Sequence, residues 1–63
     1  MNIFEDGSYV MTPGGRARVV YHKMAHSDPN KVGYYAVRFD HDPPWQIANT
    51  IYAAKEVTEL ISE

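Results

Sequence analysis

The sequence predicts a mainly β domain, on three observations. Apolar and polar residues alternate with period two over residues 16–22 and again over 34–40. β-Branched and aromatic residues dominate both stretches. The segments around them are rich in Gly, Pro, Asn, Asp and Ser, the residues that turn a chain. With 63 residues the chain is one domain, 1–63, and a chain of this size buries only roughly 60% of the surface it exposes when unfolded. Its stability margin is therefore narrow.

In chain order, "SYVMT" after Asp6-Gly7 reads as a short strand, with Tyr9 and Met11 alternating against Val10. "PGG" ends it, because proline cannot donate to a ladder and glycine tolerates positive φ; a tight turn into the next strand follows. Two glycines ahead of Arg16 and Arg18 also raise the question of a phosphate-holding loop. Such a loop needs a helix behind it and a Gly-Lys-Ser/Thr sequence, and "TPGGRARVVY" has neither, so the turn reading stands.

The strand over Arg16–His22 places Ala17, Val19 and Tyr21 on one face. The strand over Tyr34–Asp40 places Tyr35, Val37 and Phe39 on one face, and "MAHSDPNKVG" joins the two as a long hairpin loop. An antiparallel register that sets Tyr21 opposite Tyr35, Val19 opposite Val37 and Ala17 opposite Phe39 gathers every apolar residue on one side. It also sets Arg16 opposite Asp40, Val20 opposite Ala36, His22 opposite Tyr34, and Arg18 opposite Arg38, the one unfavourable pair. Glu56 and Glu59 are the acids expected to offset that repulsion; an anionic ligand is the other solution. "DHDPPW" closes the hairpin, since tandem prolines bar both a helix and a central strand there.

The last third supports two readings. "ANTIYAAKEVTELISE" repeats apolar residues at three and four, which would give a helix over 47–62 on a three-stranded antiparallel sheet, an α+β fold. It also divides into a strand "NTIYAA", a 3₁₀ turn "KEV" and a last strand "TELIS".

The whole order favours the second division. A short strand after "DG", a glycine turn, a basic β-branched strand, a long loop, a strand ending in "RFD" and then "IYAAKEVTEL" resembles small SH3-like barrels, including KOW-type domains of bacterial and phage accessory proteins. The likeness spans residues 7–61. It implies a five-stranded SH3-like barrel with a 3₁₀ turn before the last strand, Ala54-Lys55-Glu56-Val57 forming that turn and Val57 plugging the barrel end. The Ala-Leu-Tyr-Asp-Tyr stretch and paired tryptophan of peptide-binding SH3 domains are missing, so polyproline binding is not implied. Only the glycines and the aliphatic ending of "DGSYVMTPGGRARVV" match a KOW motif, and no functional residue carries over. A fold of this kind hosts many unrelated roles.

Composition narrows the function classes. Without cysteine there is neither a disulfide nor a thiolate metal cage, and the acids Glu5 and Asp6 close to the start are unlike an export signal. No apolar run reaches the roughly 20 residues of a membrane span, and the expected location is cytoplasmic. The formal charge of −2 is unevenly spread: residues 14–38 carry Arg16, Arg18, Lys23, Lys31 and Arg38 against Asp28, whereas residues 39–63 carry Lys55 against five acids. A basic middle and an acidic tail can steer an anionic partner or neutralise each other within one fold.

His22, His26 and Asp28, or Asp40, His41 and Asp42, hold metal-ligand chemistry, but His22 and His26 do not converge on a strand running into a loop; no metal or cofactor is expected. Ser8, Ser27 and Ser62 lack an evident base and orienting acid. A barrel filled by its own side chains also leaves no pocket of the roughly 300 Å³ that ligand sites need, so the chain is not expected to be an enzyme.

One tryptophan, five tyrosines and two phenylalanines are too many for the core of so short a chain. Tyr34 and Trp45 are left outside by pattern and loop position, next to Arg16, Arg18 and Arg38. Trp45 is expected to fold back over the rim on Pro43 and Pro44, and otherwise to meet a partner. Arg16, Arg18, Tyr34, Arg38 and Trp45 are thus the candidate binding residues. The expected function is a non-catalytic protein-binding module or accessory subunit, working through an exposed strand edge or the Arg/Tyr face, with self-association as one version. The alternative is nucleic-acid binding through Arg16, Arg18, Lys23, Tyr34 and Arg38.

Overall fold

A computed structural model describes residues 3–60 of the chain. The fold is mainly β. Strands β1 (Tyr9–Thr12), β2 (Gly15–Met24), β3 (Val32–Arg38), β4 (Thr50–Ala53) and β5 (Thr58–Glu59) form one antiparallel sheet in the order β4-β3-β2-β1-β5. A 3₁₀ turn, Ala54–Glu56, precedes β5, so the helix considered for 47–62 is replaced by strand, 3₁₀ turn and strand. Ile61 and Ser62, part of the expected last strand, lie outside the described residues. Among the described residues no helix is long and apolar enough to cross a membrane.

Period-two patterning explains which face is buried. Val10, Ala17, Val19, Tyr35 and Val37 point to the inner face, and Val57 joins them from the end of the 3₁₀ turn. Phe39, Tyr52 and Phe4 pack around this cluster. Each fully buried aliphatic or aromatic side chain stabilises the fold by roughly 1.5–3 kcal/mol. Phe4 is held over the core by its N–H, which donates to the Tyr35 hydroxyl at 3.2 Å, and by ring contact with Tyr35 at 5.7 Å between centroids.

Pro13-Gly14 of the "PGG" segment is the two-residue connection between paired Thr12 and Gly15. Gly15 has φ +112°, a conformation that side chains with a β-carbon rarely adopt. Thr12 Oγ1 donates to the Gly15 carbonyl at 2.7 Å and accepts the Gly14 N–H at 3.2 Å, which locks the turn. Gly14 is required by proximity: a β-carbon there would lie 2.6 Å from the Tyr52 hydroxyl oxygen and 2.9 Å from Phe39 Cζ. The sheet has curled until its β1–β2 turn lies against Phe39, just after β3, and Tyr52 of β4.

That curl does not close a barrel. β4 and β5 occupy opposite ends of the strand order, and no ladder joins them among the described residues. With four and two residues these strands are short, and the 3₁₀ turn between them redirects the chain before they can pair. An open sheet is also incompletely filled, and the expectation of no pocket of ligand size is overturned: the surface holds concavities of about 510 and 300 Å³.

The register is as expected in half of the central hairpin and shifted in the other. Arg18 faces Arg38 and Val19 faces Val37, but Tyr21 faces Ala36, His22 faces Tyr35 and Lys23 faces Tyr34. Val20 is the extra residue of a β-bulge, and one inserted residue exchanges the faces of everything beyond it. Tyr21, expected inside, is therefore outside and 38% exposed, while His22 turns inward toward Tyr35 and approaches Asp6 at 3.4 Å. The bulge coincides with a pairing on the other side of β2, where the Gly7 N–H donates to the Val19 carbonyl at 2.7 Å and the Val19 N–H to the Ser8 carbonyl at 2.8 Å.

Candidate binding surface

Residues that alternate with the core cluster form the outward face of the sheet, and their rows follow from the register. Tyr9 and Met11 of β1 lie beside Arg18 and Arg16 of β2. Arg18 lies beside Arg38 of β3. Beyond the bulge, one row runs Tyr21, Ala36, Ile51 across three strands, and the next runs Lys23, Tyr34, Ala53. Ala36 is 0% exposed although it faces outward, a small side chain between two large ones. By this alternation no outward strand position among the described residues carries Asp or Glu, whereas Arg16, Arg18, Lys23 and Arg38 do carry positive charge.

The candidate residues are only partly brought together. The Arg16 guanidinium carbon lies 4.3 Å from the Tyr9 ring centroid, a cation–π contact worth about 0.5–1 kcal/mol at an exposed site. The expected Arg16–Asp40 pair does not form, because β3 ends at Arg38 and Asp40 lies in the following turn. Tyr34 is not next to Arg18: the bulge moves it to the row of Lys23, at the other end of the face.

Arg18 and Arg38 do oppose each other, lining the 300 Å³ hollow with Val20 and Gly7. The expected bridge from Glu56 or Glu59 is not made; the acid–base contacts within 4 Å among the described residues are His22–Asp6 and His41–Asp42, which carry opposite charges only when the histidine is protonated. The reason is topological. β5 docks beside β1, with Glu59 facing Val10, so β1 stands between it and Arg18, and both β1 and β2 stand between it and Arg38.

Arg38 finds neutral acceptors instead. Its Nε donates to Asn49 Oδ1 at 3.0 Å, and its Nη2 donates to the Gln46 carbonyl. Both lie in the 39–49 loop, which is further ordered by the Phe39 N–H donating to Asp42 Oδ2 at 2.9 Å and the Gln46 side chain donating to the Ala48 carbonyl at 2.8 Å. Arg38 is thus a strap on the loop that displays Trp45. Trp45 does not fold back over the rim; it is 80% exposed, and Ile47, two residues on, is 94% exposed. The Pro43–Gln46 turn that carries Trp45 is closed by the Gln46 N–H donating to the Pro43 carbonyl at 3.0 Å.

Ile47 and Ile51 were not recognisable as surface residues while the last third could be a helix, since both fell on its apolar stripe. The signal that marks Ile51 is its alternation with Tyr52, once Tyr52 is matched with Tyr35 on the inner face. The histidines are dispersed: His41 stacks on Phe39 at 5.2 Å between centroids, and no three His, Asp or Glu side chains among the described residues gather as metal ligands.

The surface is therefore a basic, acid-free sheet face bordered by an uncharged edge strand and a loop bearing exposed apolar side chains. No family model, curated protein or solved structure matches this chain.

Proposed function

We propose that the chain is a non-catalytic protein-binding module that takes an extended, acidic partner segment onto the free edge of β4. The observation that carries this reading is the edge itself. Thr50-Ile51-Tyr52-Ala53 contains no charge and no proline, the devices by which free edges are usually protected; it carries the exposed Ile51 and is preceded by exposed Trp45 and Ile47. Main-chain pairing supplies affinity in such additions, and large apolar side chains supply anchors. An acidic partner suits the neighbouring face, where Arg38 and Lys23 have no carboxylate partner within ion-pair distance among the described residues. The test uses a peptide of alternating Glu and Val and its Lys/Val counterpart, followed by amide shifts. Binding of the acidic peptide with shifts centred on residues 50–53 supports the reading; equal binding of both, or shifts elsewhere, removes it.

A second reading rests on the same face. Tyr9, Tyr21 and Tyr34 interleave with Arg16, Arg18, Lys23 and Arg38, the composition that stacks bases and neutralises phosphates. Affinity for a single-stranded oligonucleotide that falls steeply with salt would favour it, and no binding at low salt would end it.

A further inference from the structure

We infer that the inner side of the sheet carries a second site, distinct from the β4 edge, that binds a small carboxylate with an aliphatic body. The larger concavity, about 510 Å³, falls within the roughly 300–1,000 Å³ of small-ligand sites. Its lining combines the apolar Phe4, Val32, Ala54 and Val57 with Tyr35, Lys31 and Lys55.

Two independent observations give the ligand its chemistry. First, two of the chain's three lysines flank this one apolar hollow, and neither has an acid within ion-pair distance among the described residues. They come from different parts of the chain, Lys31 from the loop before β3 and Lys55 from the 3₁₀ turn, so the fold and not the sequence brings them to one place. Second, Tyr35 is 2% exposed and its hydroxyl accepts the Phe4 N–H, while its own hydrogen has no acceptor among the described residues. A phenol O–H donates as well as accepts, so this one can still donate to a ligand in the hollow that Tyr35 lines. A carboxylate oxygen is an acceptor only; it satisfies the phenol while its charge lies near the lysines. The apolar walls then take an alkyl chain. A phosphate fits less well, because most of the hollow's lining is hydrocarbon.

Decanoate, kept below its micellar concentration, is the probe, with decanol as its uncharged counterpart. Titration into the whole chain is expected to shift the amides of Val32, Tyr35, Ala54 and Val57. Decanol should bind at least about tenfold more weakly, the equivalent of roughly 1.4 kcal/mol from two exposed charges and one hydrogen bond. The Lys31→Gln/Lys55→Gln double variant alters only exposed side chains, so its fold is retained; it should weaken decanoate about tenfold and leave decanol unchanged. Tyr35→Phe should weaken decanoate a further few-fold, with its thermal midpoint recorded alongside. Ile51→Lys, which blocks the β4 edge, should not alter decanoate binding, and this separates the two sites. Absence of amide shifts up to millimolar decanoate overturns the inference. So does equal affinity for decanol, or a shift pattern on the outward face.

Discussion

The two free edges of the sheet are built on opposite principles. β5 has two residues, Thr58 and Glu59, both exposed, and one of them is charged. β4 has four, none charged, with Ile51 48% exposed at its centre and Trp45 and Ile47 on the segment leading into it. A two-residue edge offers a single pair of backbone groups to an incoming strand, and a carboxylate there repels another sheet; this is how proteins blunt an edge. The β4 edge shows none of that protection. In a chain whose stability margin is narrow, an uncharged apolar edge left uncovered is a route to aggregation, and the proposed partner strand would cover it. The contrast is why the proposed binding edge is β4, whereas β5 simply follows Val57, which joins the core.

The largest expected effect breaks the β5 side. Val57 is 5% exposed and is the only core residue supplied beyond the 3₁₀ turn among those described. Val57→Ala should lower the free energy of unfolding by about 2 kcal/mol through lost burial and a residual cavity, read from urea denaturation. Amides of β5 should exchange first. A loss under about 0.5 kcal/mol would mean that β5 is not anchored through the core.

On the β4 side the effect should fall on binding and not on folding. Ile51→Lys introduces the missing edge charge at an exposed position, so stability should stay within about 0.5 kcal/mol. Affinity for the acidic strand peptide should drop about 30-fold, as expected for an anchor worth about 2 kcal/mol. Glu59→Lys, the matching change on β5, should leave that affinity untouched. If both substitutions weaken binding equally, the two edges are not different in kind.

A third measurement sharpens the comparison at the place where the sheet curls. Gly14→Ala pushes a methyl group into the Tyr52 hydroxyl and the Phe39 ring, which joins the β1–β2 turn to β4. Destabilisation by about 1–2 kcal/mol is expected from overpacking, with chemical-shift changes at Tyr52. An unchanged midpoint would show that the turn and β4 are not in firm contact.

The smallest effect concerns the opposed arginines. Arg18→Gln removes a like charge across from Arg38 without touching the hydrogen bonds that Arg38 makes to the 39–49 loop. Stability should rise by roughly 0.2–1 kcal/mol, and more at low salt than at high. A fall would show that Arg18 is engaged by something other than repulsion.

What the sequence alone determined was local. Alternation set β1, β2 and β3 and the inward choice of Ala17, Val19, Tyr35 and Val37, because a period-two apolar pattern can be buried on only one face of a strand. The turn chemistry of Pro13-Gly14-Gly15 was readable for the same reason: the conformations available to proline and glycine are intrinsic to them. The Arg18–Arg38 opposition followed from the register upstream of Val20. Tertiary structure decided the rest. The bulge at Val20 arises where the Gly7–Ser8 backbone pairs with Val19, a contact between residues far apart in sequence, and it moved Tyr21 and Tyr34 to new neighbours. Strand over helix in the last third was set by pairing with β3, since "TIYA" gains a ladder and an inner-face place for Tyr52 that helix propensity cannot offset. The exposure of Trp45 and Ile47, and the presence of Lys31, Lys55 and Tyr35 around one hollow, depend on how loops are carried by an open sheet, and no periodicity in the chain encodes that.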